Sequence, residues 1–263
     1  MMSASSFWSG QRRRVDEQMD APNLDPQLHQ AALSGLRRLN RTSGVSRAMF
    51  PHLVRLARLA PQQPLRILDV ASGSGDLPID WLVRARRRDI HFQITALDRS
   101  STALDMALES ARRAEVDLGI VHQDCIQDGL PSGFDVVTCS LFMHHLEDQE
   151  VVSLVHEMWR VCSRGLLICD LERSRLHTGL IAIAAQLLTR SPIVHADAIA
   201  SARGAYSRSE FAALIERSLG FSVPVRRSLP CRMIASVDQP CQRDVTAEPW
   251  NSVVQPAIAG ATP

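Results

Sequence analysis

Hydrophobic positions in the middle of the chain alternate between two patterns. Short apolar runs, typical of buried strands, occur at 65–71, 92–98, 118–123, 134–141 and 165–171. Amphipathic stretches with helical spacing lie between them, at about 76–88, 101–113 and 148–162. Strands that are apolar on both sides are typical of a parallel sheet covered by helices on both faces. The pattern therefore predicts a doubly wound, mostly parallel α/β fold.

The residues before this region show helical spacing only. Apolar residues recur first at Leu28, Ala32, Leu36 and Leu39 and then at Met49, Leu53, Leu56 and Leu59. We therefore predict that residues 1–63 form an N-terminal helical cap with a frayed start.

The alternation of strands and helices is interrupted after the last predicted parallel strand. An unusually apolar helix is predicted at 176–188, followed by an irregular, alanine-rich stretch up to Ala205. A capping box at Ser207 and Glu210 opens a further helix, and runs at 221–229 and 231–237 predict an antiparallel edge hairpin around Pro230. We expect one α/β domain over 64–238, in which an insertion at about 172–205 covers the strand ends. Residues 239–263 lack periodicity and are predicted to be disordered.

Composition and charge narrow the function classes. The 263 residues carry a net charge of +1, so no global field favours nucleic acid, and small molecules are the expected partners. The arginine runs at 12–14 and 86–88 are interpreted as solvated helix faces. No apolar stretch reaches the roughly 18 residues of a membrane span, and the N-terminus has no signal core, which predicts a cytoplasmic protein. Six cysteines without a CxxC pair predict buried free thiols; we expect no metal, and the sequence does not indicate the oligomeric state.

The candidate chemistry lies at the strand ends. The first strand runs into LDVASGSGD at 68–76, a glycine turn in front of a helix start, which is typical of a site for a nucleoside-type cofactor. Ligands of open α/β sheets bind beyond the carboxyl ends of the strands. The next strands end at Asp98-Arg99, at Asp124-Cys125 and at Ser140-Leu141.

The glycine spacing argues against a dinucleotide. The third glycine of a G-x-G-x-x-G turn falls on Pro78, and Asp76 and Asp80 would repel a pyrophosphate, so a cationic or zwitterionic ligand is favoured. Asp98 has the spacing from Asp69 that suits a carboxylate binding two ribose hydroxyls. An NAD-dependent oxidoreductase and a non-catalytic cofactor-binding protein remain alternatives.

These motifs resemble those of class I S-adenosylmethionine-dependent methyltransferases. The resemblance extends over roughly 64–237 and is carried by LDVASGSGD, by ALD at 96–98, by QD at 123–124 and by FDVVTCSLFMHHL at 134–146. Ala71, which stands where the family consensus has glycine, and the following Gly75-Asp76 are similar to methyltransferases of ubiquinone and menaquinone biosynthesis and to their natural-product relatives. The resemblance implies a Rossmann-like fold and S-adenosylmethionine as the cofactor.

The resemblance also implies roles for the strand-end residues. Asp69 and the turn formed by Ala71, Gly73 and Gly75 would bind the methionine and sulfonium part of the cofactor. Asp98 would hold the ribose hydroxyls, with Arg99 alongside the adenine.

The remaining predicted contacts are with the adenine and the methyl group. Asp124 would accept a hydrogen bond from the adenine amino group, although Asp128 could be mistaken for it. Cys125 would flank the ring, and Ser140 and Leu141 would line the passage to the transferred methyl.

The sequence says less about the acceptor and about any catalytic base. The apolar insertion favours a small hydrophobic acceptor, aromatic or polyketide-like, methylated at oxygen or carbon, although an ordinary core helix explains the pattern equally well. His144 and His145 could act as a base, or they could form a structural turn. Tyr206 and the pair His195 and Asp197 are weaker candidates, so no catalytic residue is assigned.

Overall fold

Five parallel strands form the centre of the structure, a computed structural model that describes residues 12–14, 35, 44–188, 191–239 and 255–256. The strands are β1 Leu65–Val70, β2 Phe92–Asp98, β3 Gly119–His122, β4 Phe134–Ser140 and β5 Cys162–Leu171. They are ordered β3-β2-β1-β4-β5, so the chain runs outward from β1 to one edge and then returns to build the other half. The doubly wound parallel sheet is confirmed.

Antiparallel strands complete both edges of the sheet. β6 (Val225–Ser228) and β7 (Arg232–Asp238) form the predicted hairpin, and β7 pairs with β5. At the other edge β8 (Gln255–Pro256) pairs with β3, because an edge strand offers unpaired backbone groups to any extended segment. Disorder was predicted for these two residues, whereas the structure places them in a strand. Most of 239–263 lies outside the described residues.

Helices cover both faces of the sheet. They are α1 Val45–Ala57, α2 Asp76–Arg86, α3 Ser101–Arg113, α4 Asp148–Val161, α5 Arg175–Leu188, α6 Pro192–Gly204 and α7 Arg208–Leu219, with a 3-10 turn at Met143–His145. Helices α1 to α3 share one apolar core with the sheet, and α4 and α7 share the other. Ile67 enters the first core and its neighbour Leu68 the second, because successive side chains of a strand point to opposite faces.

The prediction of an irregular stretch before Ala205 is wrong, because most of these residues form helix α6. Ser191 caps this helix by accepting a hydrogen bond from the Val194 amide, and Pro192 occupies the first turn. Alanine is the strongest helix former, so an alanine-rich sequence after such a cap favours a helix over a loop. The prediction overlooked the Ser-Pro start signal.

The N-terminal cap is described only in part. Helix α1 matches the second predicted helix, and it runs along one face of the sheet from the end of β4 towards Asp238 at the opposite edge. The first predicted helix lies outside the described residues except for Gly35, which is helical and buried. Residues 12–14 form neither helix nor strand, so the helix-face interpretation of this arginine run is wrong.

Candidate functional site

The candidate site lies at the carboxyl ends of the parallel strands, at the point between β1 and β4 where the order of strand addition reverses. Such a switch point leaves a crevice, because the loops after the two central strands leave in opposite directions. Asp69, Asp98 and Ser140 lie at the ends of β1, β2 and β4, and Asp124 follows β3 by two residues. The structure thus brings the predicted strand ends to one edge of the sheet.

Asp69 is a buried carboxylate held by two hydroxyls. The Ser72 Oγ donates to its Oδ2 at 2.7 Å and the Thr138 Oγ1 donates to its Oδ1 at 2.6 Å. Burial raises the pKa of Asp69 to about 6, and the two hydroxyl donors only partly oppose this rise. Sequence reasoning missed Thr138, although a polar residue in the middle of a buried strand was a signal for it.

The turn after β1 uses left-handed backbone at Ala71 (φ 53°), Gly73 (φ 57°) and Gly75 (φ 71°). The two glycines serve different purposes. A Cβ on Gly75 would lie 2.9 Å from the Cβ of Ala107, so this glycine lets α2 approach α3 closely. A Cβ on Gly73 would meet no atom within 4 Å, so the turn faces open space there.

Asp98 joins the end of β2 to this turn. Its Oδ2 accepts a hydrogen bond from the Gly73 amide at 2.7 Å, and its Oδ1 accepts one from the Ser100 amide at 2.9 Å. The carboxylate therefore lies directly beside the open part of the turn. The next residue, Arg99, has an exposed side chain, and its carbonyl lies 2.9 Å from the His122 ring.

Asp124 closes a tight turn after β3. Its Oδ1 accepts hydrogen bonds from the Ile126 amide at 2.8 Å and the Gln127 amide at 3.3 Å. Its own amide donates to Asp128 Oδ2 at 3.0 Å, so both aspartates belong to one turn. Cys125 is buried between them and the core, and burial raises the pKa of its thiol to about 12. This cysteine is a small apolar group rather than a nucleophile.

Ser140 and Leu141 form the end of β4. The Ser140 hydroxyl donates to the Met49 sulfur at 3.3 Å, which ties the start of α1 to the site. Leu141 has a left-handed backbone (φ 55°), and its amide donates to the Cys169 carbonyl on β5 at 2.9 Å. The contribution of Met49 was not predicted, because the two residues are 91 positions apart in sequence.

The two adjacent histidines have different surroundings. His144 is buried, with Nδ1 at 2.6 Å from Asp170 Oδ1 and its amide donating to Asp170 Oδ2 at 3.1 Å. The His145 ring stacks on it at a centroid distance of 4.2 Å. Burial, with smaller contributions from His144, Arg99 and Arg14, holds the pKa of His145 well below its ordinary value. Sequence reasoning missed Asp170, although it ends the fifth strand as the other carboxylates end theirs.

An arginine from the N-terminal segment holds this histidine turn in place. The Arg12 side chain donates to the carbonyls of Gly204, His144 and Leu146 at 2.7, 3.1 and 2.5 Å. Its guanidinium also lies 3.9 Å from the centre of the Tyr206 ring. The Tyr206 hydroxyl is 3.0 Å from the Leu146 carbonyl, so the structure uses this tyrosine to support the turn.

Three further sequence predictions concern a metal site, the pair His195 and Asp197, and membrane spans. Within the ranges that the structure describes, no three His, Cys, Asp or Glu side chains are grouped as a metal site. His195 and Asp197 lie on α6, where residues two apart do not face each other. None of the described helices is long and apolar enough to cross a membrane.

The fold and the site together define a Rossmann-like protein with a crevice for a nucleoside-type ligand. A family model described as a methyltransferase domain matches residues 67–165. A demethylmenaquinone methyltransferase of Deinococcus radiodurans is 28% identical over 65% of this chain and 67% of its own length. A ubiquinone/menaquinone biosynthesis C-methyltransferase UbiE of Rhizobium meliloti is 24% identical over 53% of this chain and 54% of its own length.

Solved structures show the same fold. Magnesium protoporphyrin IX methyltransferase from Synechocystis PCC 6803, with bound SAH, matches with a TM-score of 0.53 and 14% identity, covering 85% of this chain and 91% of that one. The plantazolicin methyltransferase BpumL, in complex with SAH, matches with a TM-score of 0.59 and 13% identity, covering 81% and 89%. At such identities the likeness supports the fold alone.

Residues 67–165 match a methyltransferase domain, and together with the curated relatives this domain supports a class I S-adenosylmethionine-dependent methyltransferase, as the motifs predicted.

Proposed function

We propose that the chain transfers the methyl group of S-adenosylmethionine to an oxygen or carbon atom of a small hydrophobic acceptor. The observation that carries this proposal is the contact between Asp98 and the amide of Gly73, beside the buried Asp69. Two carboxylates thus lie beside the glycine turn, which is open at Gly73.

The crevice fits a ligand that carries hydroxyls and positive charge. A carboxylate oxygen accepts more than one hydrogen bond, so Asp98 can hold ribose hydroxyls while it retains the Gly73 and Ser100 amides. Gly73 leaves room for a ligand because no atom lies within 4 Å of where its Cβ would be. When bound, S-adenosylmethionine supplies an activated methyl group on a positively charged sulfur.

The other site residues have roles that follow from their positions. In this proposal Asp69 contributes negative charge near the methionine and sulfonium end, with Ala71, Gly73 and Gly75 forming the turn beneath it. Positioning supplies most of the rate enhancement, because in-line alignment of two bound reactants needs little covalent help.

The remaining predicted residues contact the base and the methyl passage. Arg99 lies beside the adenine, and Asp124 accepts from its amino group while closing the turn that seats Cys125. Ser140 and Leu141 line the passage to the methyl, where the Ser140 contact with Met49 fixes the edge of that passage.

A hydrophobic acceptor is favoured by two independent observations. The helices α5 and α6 follow the carboxyl end of β5 and are rich in apolar residues. Two relatives are named for demethylmenaquinone and for ubiquinone and menaquinone biosynthesis, whose products are apolar quinones.

We place the activity in the cytoplasm, because all five described cysteines are free and buried thiols.

Calorimetric titration of the purified chain with S-adenosylmethionine, S-adenosylhomocysteine and NAD tests the cofactor. We expect both adenosyl compounds to bind and NAD not to compete with them. The absence of adenosyl binding would contradict the proposal, and preferential binding of NAD would restore the oxidoreductase alternative.

Turnover tests the acceptor class. We expect methyl transfer from labelled S-adenosylmethionine to members of a panel of apolar phenols and hydroquinones, identified by mass spectrometry. Product analysis then distinguishes oxygen from carbon methylation. Transfer only to polar acceptors of similar size would contradict the proposed acceptor.

A further inference from the structure

Helix α5 exposes a continuous apolar face. Its large apolar side chains at Leu176, Leu180, Ile183 and Leu187 are 69%, 46%, 57% and 80% exposed. Steps of four, three and four residues place them on one side of the helix. Another side contacts α6 and includes the buried Ala185. A face of this kind is unusual on a protein surface unless it meets a partner.

The same part of the chain concentrates positive charge. Residues 172–232 contain nine arginines and four acidic residues, a net charge of +5 in a chain whose total is +1. No acidic residue occurs from 174 to 196, which includes all of α5. The segment that contains α5 is therefore basic by sequence, although the chain as a whole is nearly neutral.

The acidic residues near this region are bound by arginines. Glu172 is buried and accepts from Arg208 at 2.8 Å and from Arg227 at 3.1 Å, so two cations face one carboxylate. Glu210 accepts from Arg173 at 2.6 Å. These three arginines and two carboxylates have a net charge of +1, so most of the +5 comes from the other residues of the segment.

The turn between β6 and β7 adds to the apolar surface. It carries Leu229, which is largely exposed, and it meets α5 where the Cys231 sulfur lies 4.0 Å from the His177 carbonyl. Arg226 and Arg227 precede this turn on β6, with exposed side chains. Arg227 binds Glu172 just before α5, whereas Arg226 points to the other face of the sheet, near His52 of α1. An exposed leucine and one exposed arginine thus lie beside the start of α5.

These features favour a lipid surface over a second copy of the chain. In a two-fold dimer the same patch meets itself, so the excess of arginines would face an equal excess. Four part-exposed side chains are also few for a stable protein interface, which typically buries about 800 Å² on each partner. An anionic bilayer satisfies both features, because its headgroups attract arginines and its acyl boundary accepts apolar side chains.

We propose that α5 and the β6–β7 turn form a docking surface for an anionic lipid bilayer, which the chain contacts without spanning it. Because α5 begins four residues after the end of β5, the bilayer would lie beside the crevice. An acceptor dissolved in the membrane could then enter without crossing water. This consequence for the acceptor rests on the proposed function, whereas the docking itself does not.

Co-sedimentation of the full chain with lipid vesicles tests the docking. We expect binding to vesicles of phosphatidylcholine and phosphatidylglycerol at a ratio of about three to one, and weaker binding to phosphatidylcholine alone or at high salt. The double variant Leu176→Gln, Leu187→Gln should lower the partition coefficient by about tenfold or more.

Leu59→Gln is the matched control. Leu59 is also 69% exposed, but it lies between α1 and β1, at the edge of the sheet opposite the site, and the variant should bind vesicles as the wild type does. Circular dichroism and thermal melts of all variants verify that they fold. A calorimetric titration with S-adenosylmethionine, run in parallel, should give the same affinity for the wild type and the double variant.

Three outcomes would overturn the docking proposal: no binding of the wild type to anionic vesicles, equal binding by the double variant, or a lipid-free dimer in sedimentation equilibrium that the double variant disperses. The last would assign the surface to a second copy. Loss of adenosyl binding with vesicle binding intact would instead contradict the proposed function alone.

Discussion

Replacing Asp98 by alanine is the sharpest test of the cofactor assignment. The carboxylate holds the Gly73 amide at 2.7 Å and the Ser100 amide at 2.9 Å. In the proposed complex it also accepts from two ribose hydroxyls. The substitution therefore acts on the turn and on the ligand at once, and the two effects must be measured separately.

The expected magnitudes follow from the bonds that are lost. Two charge-assisted bonds to the ribose are together worth about 2 to 4 kcal/mol, which weakens S-adenosylhomocysteine binding by about 30-fold to 700-fold. Loss of the bonds to the Gly73 and Ser100 amides should lower the free energy of unfolding by about 1 to 2 kcal/mol, because both amides can turn to water.

Calorimetry at a temperature well below both melting transitions measures the affinity, and urea unfolding measures the stability. Asp105→Ala is the matched control, because it removes one exposed carboxylate from the next helix without touching the turn. Asp98→Ala with lowered stability and unchanged affinity would refute the ribose assignment and leave Asp98 a structural role only.

Further predictions concern the neighbouring positions. Burial raises the pKa of Asp69 to about 6, so its contribution to stability is fully present below the unfolded pKa and is lost as pH rises through about 6. Relative to Asp69→Asn, the wild type should lose about 2 kcal/mol of unfolding free energy between pH 4 and pH 8, measured by urea denaturation; parallel curves would contradict the buried-acid interpretation. Asp124→Asn keeps one oxygen for its turn but replaces an acceptor by a donor, and should weaken cofactor binding by about tenfold in calorimetry. Asp128→Asn should leave that affinity unchanged, and the reverse result would exchange their roles. Gly75→Ala should lower the melting temperature because its Cβ would lie 2.9 Å from that of Ala107 in a left-handed backbone, corresponding to about 1 to 3 kcal/mol; an unchanged melting temperature would argue against close packing there.

The sheet and most of the helices could be predicted because local pattern determines them. Strand β2 was predicted with its observed bounds, 92–98, and the edge hairpin was predicted from two apolar runs around Pro230. Helix α6 was missed because its residues lack a clear apolar period, and only the Ser191 cap and the following proline mark its start.

The parts of the site that could not be predicted depend on contacts between distant segments. The bond between His144 and Asp170 joins residues 26 positions apart, and the bond between Ser140 and Met49 joins residues 91 positions apart. A single sequence carries no record of such pairs. The position of Arg12 against the histidine turn belongs to the same class, because its partners come from two other elements.

The carboxylates at the strand ends explain why this crevice suits a positively charged ligand. Two hydroxyls hold the Asp69 carboxylate, and because burial outweighs them its pKa rises. Asp98 is held by backbone amides, which stabilise its charge without neutralising it. A cationic sulfur brought near both groups would favour the ionised form of Asp69 and recover part of its desolvation cost, whereas a pyrophosphate would add a like charge. The absence of a third glycine at Pro78 argued in the same direction from sequence, and the electrostatics of the folded crevice supply the physical reason.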